Sequence, residues 1–249
     1  MNRSEIKKIG GSNIASILGQ NPYESAHSLY LQLTGELPPK EENDAMRWGK
    51  ELESEVAKDF AADHPEYEIE PHGMVTHPDY DFLIASPDRI LLQNGKPVGV
   101  LEIKTTDVGT RNQFVEFTDN IPFHFLCQLT WYLGMMKLSF GYVAVRFRQS
   151  GRRAPAGHSE HPVKFAPDLF DFMVSQAVEF WNTHVIPRIP PEMTKPDAAT
   201  VEYYRRRERD KDKSIYSDDA IENEIKRLRR WKALEKRVEE GRKFSEVKL

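Results

Sequence analysis

Residues 86–104 constrain the fold of this chain more than any other segment. An Asn94-Gly95 pair between two apolar runs is a strong short-range signal for a β-hairpin. Side chains at positions i and i+2 of a strand share a face, so Glu102 and Lys104 project from the same side of the second strand. The hairpin brings Asp88, at the start of the first strand, beside that face. The sequence therefore predicts a sheet end that carries two carboxylates and one ammonium group.

Two carboxylates and an ammonium at one sheet end suit a Mg²⁺-dependent phosphodiesterase. Hard divalent cations prefer oxygen ligands, and a lysine can orient the attacking water or help to deprotonate it. Taken alone, an Asp followed by Glu-x-Lys is a weak signal in a chain in which 30% of the residues are charged. A surface hairpin with cross-strand ion pairs is the alternative at this point.

Two further polar residues are expected near the same sheet end. A helix predicted over about residues 45–63 has an apolar stripe, and Glu53 lies at the edge of that stripe. A second helix, predicted over about residues 122–137, carries Gln128 within its apolar face. Because a buried amide without a hydrogen-bond partner is costly, Gln128 is expected to meet a polar group. The predicted site thus gains a third carboxylate and an amide.

The remaining pattern predicts an α/β fold with a central mixed sheet flanked by helices. Strands are expected at residues 73–76, 82–92, 97–104 and 140–147. Helices are expected over residues 28–33 and 167–184, and Ser12 is expected to be the N-cap of an earlier helix. Pro87 falls inside the second of these strands, which predicts a bulge or a sheet edge at that point.

The composition changes after Pro187, which separates a domain of residues 1–187 from an extension of residues 188–249. The extension is a charged linker followed by a predicted amphipathic helix over about residues 218–241. That helix either packs along its own domain or serves as an arm for a second subunit or another partner.

Composition also excludes several classes of function. The single cysteine, Cys127, rules out an internal disulfide framework and is interpreted as a small buried hydrophobic residue. No apolar run is long enough to cross a bilayer, and no secretory signal is expected.

The net charge of −4 does not oppose a nucleic-acid partner, because basic residues such as Lys8 and Arg111 can still face phosphates. His158 and His161 are interpreted as part of a solvated loop and not as metal ligands.

Five motifs occur in an order that resembles a known family. They are Gly10-Gly11-Ser12 at a helix start, Gly49 to Glu53 within a helix, Ser86-Pro87-Asp88, Glu102-Ile103-Lys104, and Gln128 with Tyr132 in a later helix. This order, over about residues 9–150, resembles the YqaJ-type viral recombinase family, the nuclease group that includes lambda exonuclease, within the PD-(D/E)xK superfamily. The resemblance implies a restriction-endonuclease-like core with a C-terminal helical extension.

The resemblance also implies a role for each residue of these motifs. The metal ligands would be Asp88, Glu102, the backbone carbonyl of Ile103, and Glu53; Lys104 would position or activate the water, and Gln128 would help to orient them. Two Mg²⁺ ions are implied, with Mn²⁺ as a substitute.

Two serines match the positions that hold a 5′-terminal phosphate in the family, namely Ser12 and Ser86. No clear match exists for the arginine that some relatives use beside that phosphate, so Lys8 and Arg111 are candidates for this part of the DNA-binding surface. Many relatives have glycine after the metal-binding aspartate. This chain has Arg89 there, and in a strand its side chain would face away from that aspartate.

The implied function is a Mg²⁺-dependent exonuclease that degrades one strand of linear duplex DNA from 5′ to 3′ and leaves a 3′ single strand for recombination by strand annealing. The resemblance further implies a trimeric ring around the duplex, a single-strand annealing protein as partner, and the cytoplasm of a bacterium that carries a phage or prophage. No membrane partner is expected. Two alternatives stay open: an endonuclease of the same superfamily, and an inactive subunit that binds DNA ends.

Overall fold

The computed structural model describes residues 8–37, 44–108, 121–149, 157–194 and 197–209. The helices in these ranges are α1 (Gly11–Ile17), α2 (Ala26–Leu33), α3 (Asp44–Asp63), α4 (Phe123–Met136), α5 (Pro167–Phe180), which continues as a π-helical turn (Trp181–Val185), and α6 (Ala198–Arg209). The strands are β1 (Glu68–Glu70), β2 (Val75–Thr76), β3 (Ile84–Ala85), β4 (Arg89–Gln93), β5 (Lys96–Val108), β6 (Phe140–Gln149) and β7 (Gly157–Lys164). Among these helices, none is both long and apolar enough to cross a bilayer.

A five-stranded mixed sheet in the order β1-β4-β5-β6-β7 forms the centre of the fold. β5 and β6 pair in parallel, and the other neighbours in this sheet pair antiparallel. A parallel pair needs a crossover, and α4 lies in the chain between β5 and β6. β2 and β3 form a separate two-stranded sheet. The predicted α/β class, with a central mixed sheet flanked by helices, is confirmed.

The hairpin between β4 and β5 forms at the predicted turn. Asn94 and Gly95 both have positive φ angles, of 53° and 70°. Two successive left-handed residues match the right-handed twist of the flanking strands, which explains the preference for an Asn-Gly pair. The register sets Arg89, the first residue of β4, opposite Leu101 of β5. The start of β4 therefore lies beside the part of β5 that holds Glu102.

Apolar residues bury both faces of this sheet. One core lies under α3 and contains Val56, Phe60, Leu91, Leu101, Ile103 and Ala144. The other lies under α1, α4 and α5 and contains, among others, Ile14, Val100, Leu129, Val143, Val145 and Met173. Alternate residues of β5 thus enter opposite cores, as predicted for Leu101 and Ile103. Glu102 is the exception within this buried run, since it takes an apolar position on the α4 face.

The prediction of a single strand over residues 82–92 is wrong. The chain forms β3 and β4 instead, which belong to different sheets, with Ser86, Pro87 and Asp88 between them. Proline has no N–H to donate to a strand ladder, which explains a break at this position. The predicted irregularity is therefore a change of sheet, and the register shift of β4 lies farther along, between residues 91 and 92.

The first helices begin earlier than predicted. Gly10, and not Ser12, is the N-cap of α1, and its backbone N–H donates to Oδ1 of Asn13 at 3.0 Å. α2 begins at Ala26, because the hydroxyl of Ser25 accepts a hydrogen bond from the first turn and caps the helix.

The C-terminal half shows three further differences. The expected loop at residues 158–161 belongs to strand β7, which pairs with β6. The helix predicted over residues 167–184 changes from α to π geometry at Trp181. A helix, α6, occupies part of the charged segment, and its Tyr203 is buried in the core. The helix predicted over residues 218–241 lies outside the described residues.

Candidate active site

Asp88 lies directly before β4, where the chain passes from one sheet to the other. Its Oδ2 accepts a hydrogen bond of 2.8 Å from the backbone N–H of Ile103 on β5. The Asp88 side chain also interacts with that of Glu102. The hairpin therefore brings the two carboxylates together, as the sequence predicted.

Glu102 is fully buried on the α4 side of β5, at 0% exposure. Its Oε1 accepts a hydrogen bond of 2.5 Å from Nζ of Lys104. Burial raises the pKa of Glu102 to about 8, opposed by the charge of Lys104 and reinforced by that of Asp88. Burial lowers the pKa of Lys104, but the neighbouring carboxylates outweigh this effect, so its pKa is raised and the ammonium persists. Asp88, Glu102 and Lys104 are called the inner cluster below.

The inner cluster has an unsatisfied atom of the kind that binds a hard cation. Among the described residues, Oε2 of Glu102 is buried and has no hydrogen-bond partner. Such an oxygen is costly, and the carboxylate of Asp88 beside it adds repulsion. A divalent cation shared by the two carboxylates would relieve both effects, and carboxylate oxygens are the ligands that Mg²⁺ and Mn²⁺ prefer. The residues present therefore fit a hard divalent cation.

Glu53 approaches this site from α3 and meets Arg89. Nη1 of Arg89 lies 3.9 Å from Oε2 of Glu53 and donates a hydrogen bond of 2.6 Å to the backbone carbonyl of Asp88. The charge of Glu53 also contributes to raising the pKa of Lys104. Arg89 shares the α3-facing side of the sheet with its pairing partner on β5, as expected for a residue that faces away from the Asp88 carboxylate. Arg89 is therefore both a residue of β4 and an ion-pair partner of Glu53.

Gln128 meets a polar group, as predicted. Its Nε2 donates a hydrogen bond of 2.9 Å to Oη of Tyr132, one turn later on α4. Burial raises the pKa of Tyr132, and the charge of Glu102 adds to this effect, so the hydroxyl stays protonated. Within the described ranges no hydrogen bond joins Gln128 to Lys104, whose Nζ instead lies 5.3 Å from the ring centroid of Phe125. The hydroxyl that accepts from Gln128 is thus close enough to the inner cluster for the charge of Glu102 to affect its pKa.

The residues expected to bind a 5′-phosphate lie on neighbouring segments. A parallel β-bridge ties the residue after Lys8 to the residue before β3. Ser12 and Ser86 each follow a few residues later, and all three side chains are exposed. Arg111 lies outside the described residues. The phosphate-binding role of these four residues stays a prediction.

Cys127 is fully buried, as interpreted from the sequence. Burial raises the pKa of its thiol to about 11, which keeps it protonated near neutral pH. A thiol in this state is a poor nucleophile, so the residue serves the packing of α4.

A second group of potential ligands lies on the α3 side of the sheet, near its β7 edge. Asp63 at the end of α3, with His158 and Glu160 on β7, places ligand atoms within 4.8 Å of one another. We call these three residues the outer cluster. Nε2 of His158 is 3.8 Å from Oδ2 of Asp63, and Nε2 of His64 is 2.8 Å from Oε2 of Glu160. The sequence interpretation missed this group, because only the pairing of β7 with β6 brings residues so far apart in the chain together.

A protein-family model matches more than half of this chain. The model described as the YqaJ-like viral recombinase domain matches residues 3–138. A curated protein from Bacillus subtilis (strain 168), the uncharacterized protein YqaJ, is 29% identical over 204 residues, which cover 81% of this chain and 60% of the relative. The chain thus spans less than two thirds of the length of this relative.

Solved structures share the fold. An alkaline exonuclease (LHK-Exo) from Laribacter hongkongensis has a TM-score of 0.55 and 17% identity, over 84% of this chain and 96% of that chain. LHK-Exo in complex with dAMP gives a TM-score of 0.54 and 16% identity over the same shares. The predicted restriction-endonuclease-like fold is confirmed. Because the family match covers more than half of the sequence and includes the whole inner cluster, this chain belongs to the family of the YqaJ-like viral recombinase domain.

Proposed function

We propose that this protein is a Mg²⁺-dependent exonuclease that degrades one strand of linear double-stranded DNA from 5′ to 3′ and leaves a 3′ single strand for recombination by strand annealing. The observation that carries the proposal is the inner cluster, in which a buried carboxylate with an unsatisfied oxygen lies beside a second carboxylate and a lysine. The broader conclusion, that the protein is a nuclease, is supported by this donor set together with the family and the fold.

The residues that would hold two Mg²⁺ ions are Asp88 and Glu102, with the backbone carbonyl of Ile103 and the carboxylate of Glu53 as further ligands. When bound, the metal lowers the pKa of an attacking water and spreads the negative charge of the transition state. Mn²⁺ is expected to substitute, because it prefers the same oxygen donors.

The chain's own groups prepare the site for this chemistry. The N–H of Ile103 holds the carboxylate of Asp88 in place before any ligand binds. The ammonium of Lys104, at 2.5 Å from Glu102, is positioned to orient the water and to add positive charge near the phosphate oxygens. Gln128 supports this arrangement through the hydroxyl of Tyr132.

The polarity and assembly belong to the same proposal. Ser12 and Ser86 bind the 5′-terminal phosphate, with Lys8 and Arg111 on the DNA-binding surface, and this selects the 5′ end. Residues 1–187 form the nuclease domain, and residues 188–249 form a charged extension that begins with α6, packed on that domain, and supplies an amphipathic helix for assembly. The protein acts in the bacterial cytoplasm as a trimeric ring with a single-strand annealing protein.

Degradation of end-labelled linear duplexes tests activity, polarity and phosphate recognition together. The duplexes carry either a 5′-phosphate or a 5′-hydroxyl, and the label is at either end. We expect loss of the 5′ label first, faster degradation from 5′-phosphate ends, and no degradation when EDTA removes the metal. Absence of degradation in both Mg²⁺ and Mn²⁺ contradicts the proposal.

Two further measurements separate the alternatives. An endonuclease cuts closed circular plasmid DNA, whereas an exonuclease that needs a free end leaves it intact. An inactive DNA-end-binding subunit has no need to bind metal, so calorimetry that detects no Mg²⁺ binding favours that alternative. Mg²⁺ binding without cleavage of any duplex argues against both nuclease activities.

A further inference from the structure

The turn between α1 and α2 presents an exposed aromatic side chain. Tyr23 is 71% exposed, more than any other large hydrophobic side chain in the described part of the chain. Single exposed aromatic residues are common on protein surfaces and need no function. The surroundings of Tyr23 distinguish it from such a residue.

The turn that carries Tyr23 is held in place by a polar network. The N–H of Tyr23 donates to Oδ1 of Asn21 at 2.9 Å, and Nδ2 of Asn21 donates to Oγ of Ser16 at 2.9 Å. Oγ of Ser16 and Nε2 of Gln32 donate to the two carboxylate oxygens of Glu24, each at 2.7 Å. Ser16 is fully buried in α1. The backbone beneath the exposed ring is therefore fixed by both α1 and α2, which pre-organises the ring for a ligand.

A chain of ring contacts connects Tyr23 to the inner cluster. The centroids of Tyr23 and His124 are 5.9 Å apart in an edge-on arrangement, and those of His124 and Phe125 are 4.1 Å apart. Nζ of Lys104 lies 5.3 Å from the centroid of Phe125. The exposed ring is thus separated from the lysine of the inner cluster by two aromatic side chains at the start of α4.

His124 is suited to a neutral ligand surface. Burial lowers its pKa, and the charge of Lys104 lowers it further, so the imidazole is neutral near neutral pH. Its Nε2 is buried and, among the described residues, has no hydrogen-bond partner. A neutral ring beside an exposed phenol offers π-faces and few charges, which favours a planar uncharged group over a phosphate.

We propose that Tyr23 and His124 form a stacking subsite for an unpaired nucleobase of the DNA strand that enters the inner cluster. The inference rests on the proposed nuclease function, which brings a single strand to Lys104. Aromatic side chains stack on any base, because every base has a π-face, and so the subsite would hold the strand without reading its sequence. The ring contacts from Tyr23 through His124 and Phe125 to Lys104 place the bound base on the approach to the phosphodiester that is cleaved.

A fluorescent base tests this subsite without requiring cleavage. The probe is a 5′-phosphorylated single strand with 2-aminopurine near its 5′ end and phosphorothioate linkages that resist hydrolysis. Stacking on Tyr23 should quench the probe when the wild-type protein binds, and Tyr23→Phe should retain the quenching. Tyr23→Ala should lose the quenching and bind roughly ten-fold more weakly, the loss expected for one stacked base. The matched control is Phe172→Ala, which removes another exposed aromatic ring, 50% exposed on α5.

Steady-state cleavage supplies the second measurement. Tyr23→Ala should raise KM for linear duplex DNA roughly ten-fold and change kcat little, whereas Phe172→Ala should change neither. Quenching without cleavage by the wild-type protein contradicts the proposed function and leaves the subsite supported. Cleavage with equal quenching and equal KM in the wild-type protein and Tyr23→Ala overturns the subsite. Absence of both quenching and cleavage overturns the two proposals together.

Discussion

The inner and outer clusters each combine two carboxylates with a basic side chain, yet their surroundings differ. In the inner cluster Glu102 is fully buried and has an oxygen that no described group satisfies. In the outer cluster the side chains of Asp63 and His158 are 58% and 49% exposed, and water can solvate them. Burial therefore decides what similar charges do: the inner group is destabilised until a cation binds, whereas the outer group forms ion pairs at modest gain.

The same contrast appears in the pKa values. Burial raises the pKa of Glu102 to about 8, which marks a carboxylate that lacks sufficient positive partners. Burial also lowers the pKa of His64 beside the outer cluster, but hydrogen bonds to Glu160 and Glu66 outweigh it and raise the pKa overall. Glu160 of the outer cluster thus already has a partner that is protonated at mildly acidic pH. A buried acid with a raised pKa is more typical of a functional site than an exposed acid in an ion pair.

The largest expected effect is on catalysis by the lysine. Lys104→Ala should lower the rate of duplex degradation in Mg²⁺ by roughly a thousand-fold, because it removes a fixed positive charge next to the reacting phosphate. Lys137→Ala, which removes an exposed lysine at the end of α4, is the control and should retain the parent rate. Degradation by Lys104→Ala at the parent rate shows that the assignment of this lysine is wrong.

The second largest expected effect is on Mg²⁺ affinity, which should depend on the inner cluster and not on the outer cluster. Titration calorimetry should detect Mg²⁺ binding to the wild-type protein, and Asp88→Asn should weaken it by roughly ten-fold to a hundred-fold, because a charged oxygen ligand is lost. Asp63→Asn makes the same chemical change in the outer cluster and should leave Mg²⁺ binding unchanged. If Asp63→Asn abolishes the binding and Asp88→Asn does not, the two clusters have been assigned the wrong roles.

The metal-free protein should lose stability as the pH rises. The folded-state pKa of Glu102 is raised from 4.5 to about 8, so the folded protein binds more protons than the unfolded chain between these values. The free energy of unfolding therefore falls as the pH increases through this window. In EDTA, the melting temperature of the wild-type protein should fall between pH 5 and pH 8.5. This fall should exceed that of Glu102→Gln by an amount on the order of 5 °C.

Comparison with Glu102→Gln isolates the contribution of this one carboxyl group, since other titrating groups are common to both proteins. Added Mg²⁺ should raise the melting temperature of the wild-type protein most at high pH, where the carboxylate is ionised. Parallel pH profiles for the two proteins would show that Glu102 has an ordinary pKa.

The smallest expected effect concerns the outer cluster. Glu160→Gln removes the nearer of the two carboxylate partners of His64, which should cost about 0.5–1 kcal/mol of stability at pH 6, the range of a partly exposed ion pair. Because the pKa of His64 is raised, this contribution is present below pH 6.5 and is lost as the pH rises through the folded-state pKa. Urea unfolding at pH 6 and pH 9 measures both values. A larger cost at pH 9 than at pH 6 contradicts this sign.

The inner cluster was predictable from the sequence because its signals are local. The Asn94-Gly95 turn fixes the hairpin, and the alternation of β5 places Glu102 and Lys104 on one face. The hydrogen bond between Gln128 and Tyr132 also follows from their spacing of four residues on a helix, although the sequence interpretation left the partner of Gln128 open.

The outer cluster and the ion pair of Glu53 were not predictable, for the opposite reason. His158 reaches Asp63 only because β7 adds to the edge of the sheet, and no turn signal marks that pairing. Arg89 meets Glu53 through the packing of α3 on the sheet, which a single sequence does not encode in any short pattern. The break at Pro87 was signalled by the proline, but its form depended on a second sheet.

One matched pair of variants tests the central claim most directly. Glu102→Gln and Glu160→Gln make the same substitution in the inner and the outer cluster, and both are measured for degradation of a linear 5′-phosphorylated duplex in Mg²⁺. Glu102→Gln should reduce the rate by roughly a thousand-fold, as Lys104→Ala does, because it removes a charged metal ligand, and Glu160→Gln should keep the parent rate. A Glu102→Gln protein that degrades the duplex as fast as the parent protein would contradict the assignment of the inner cluster as the active site.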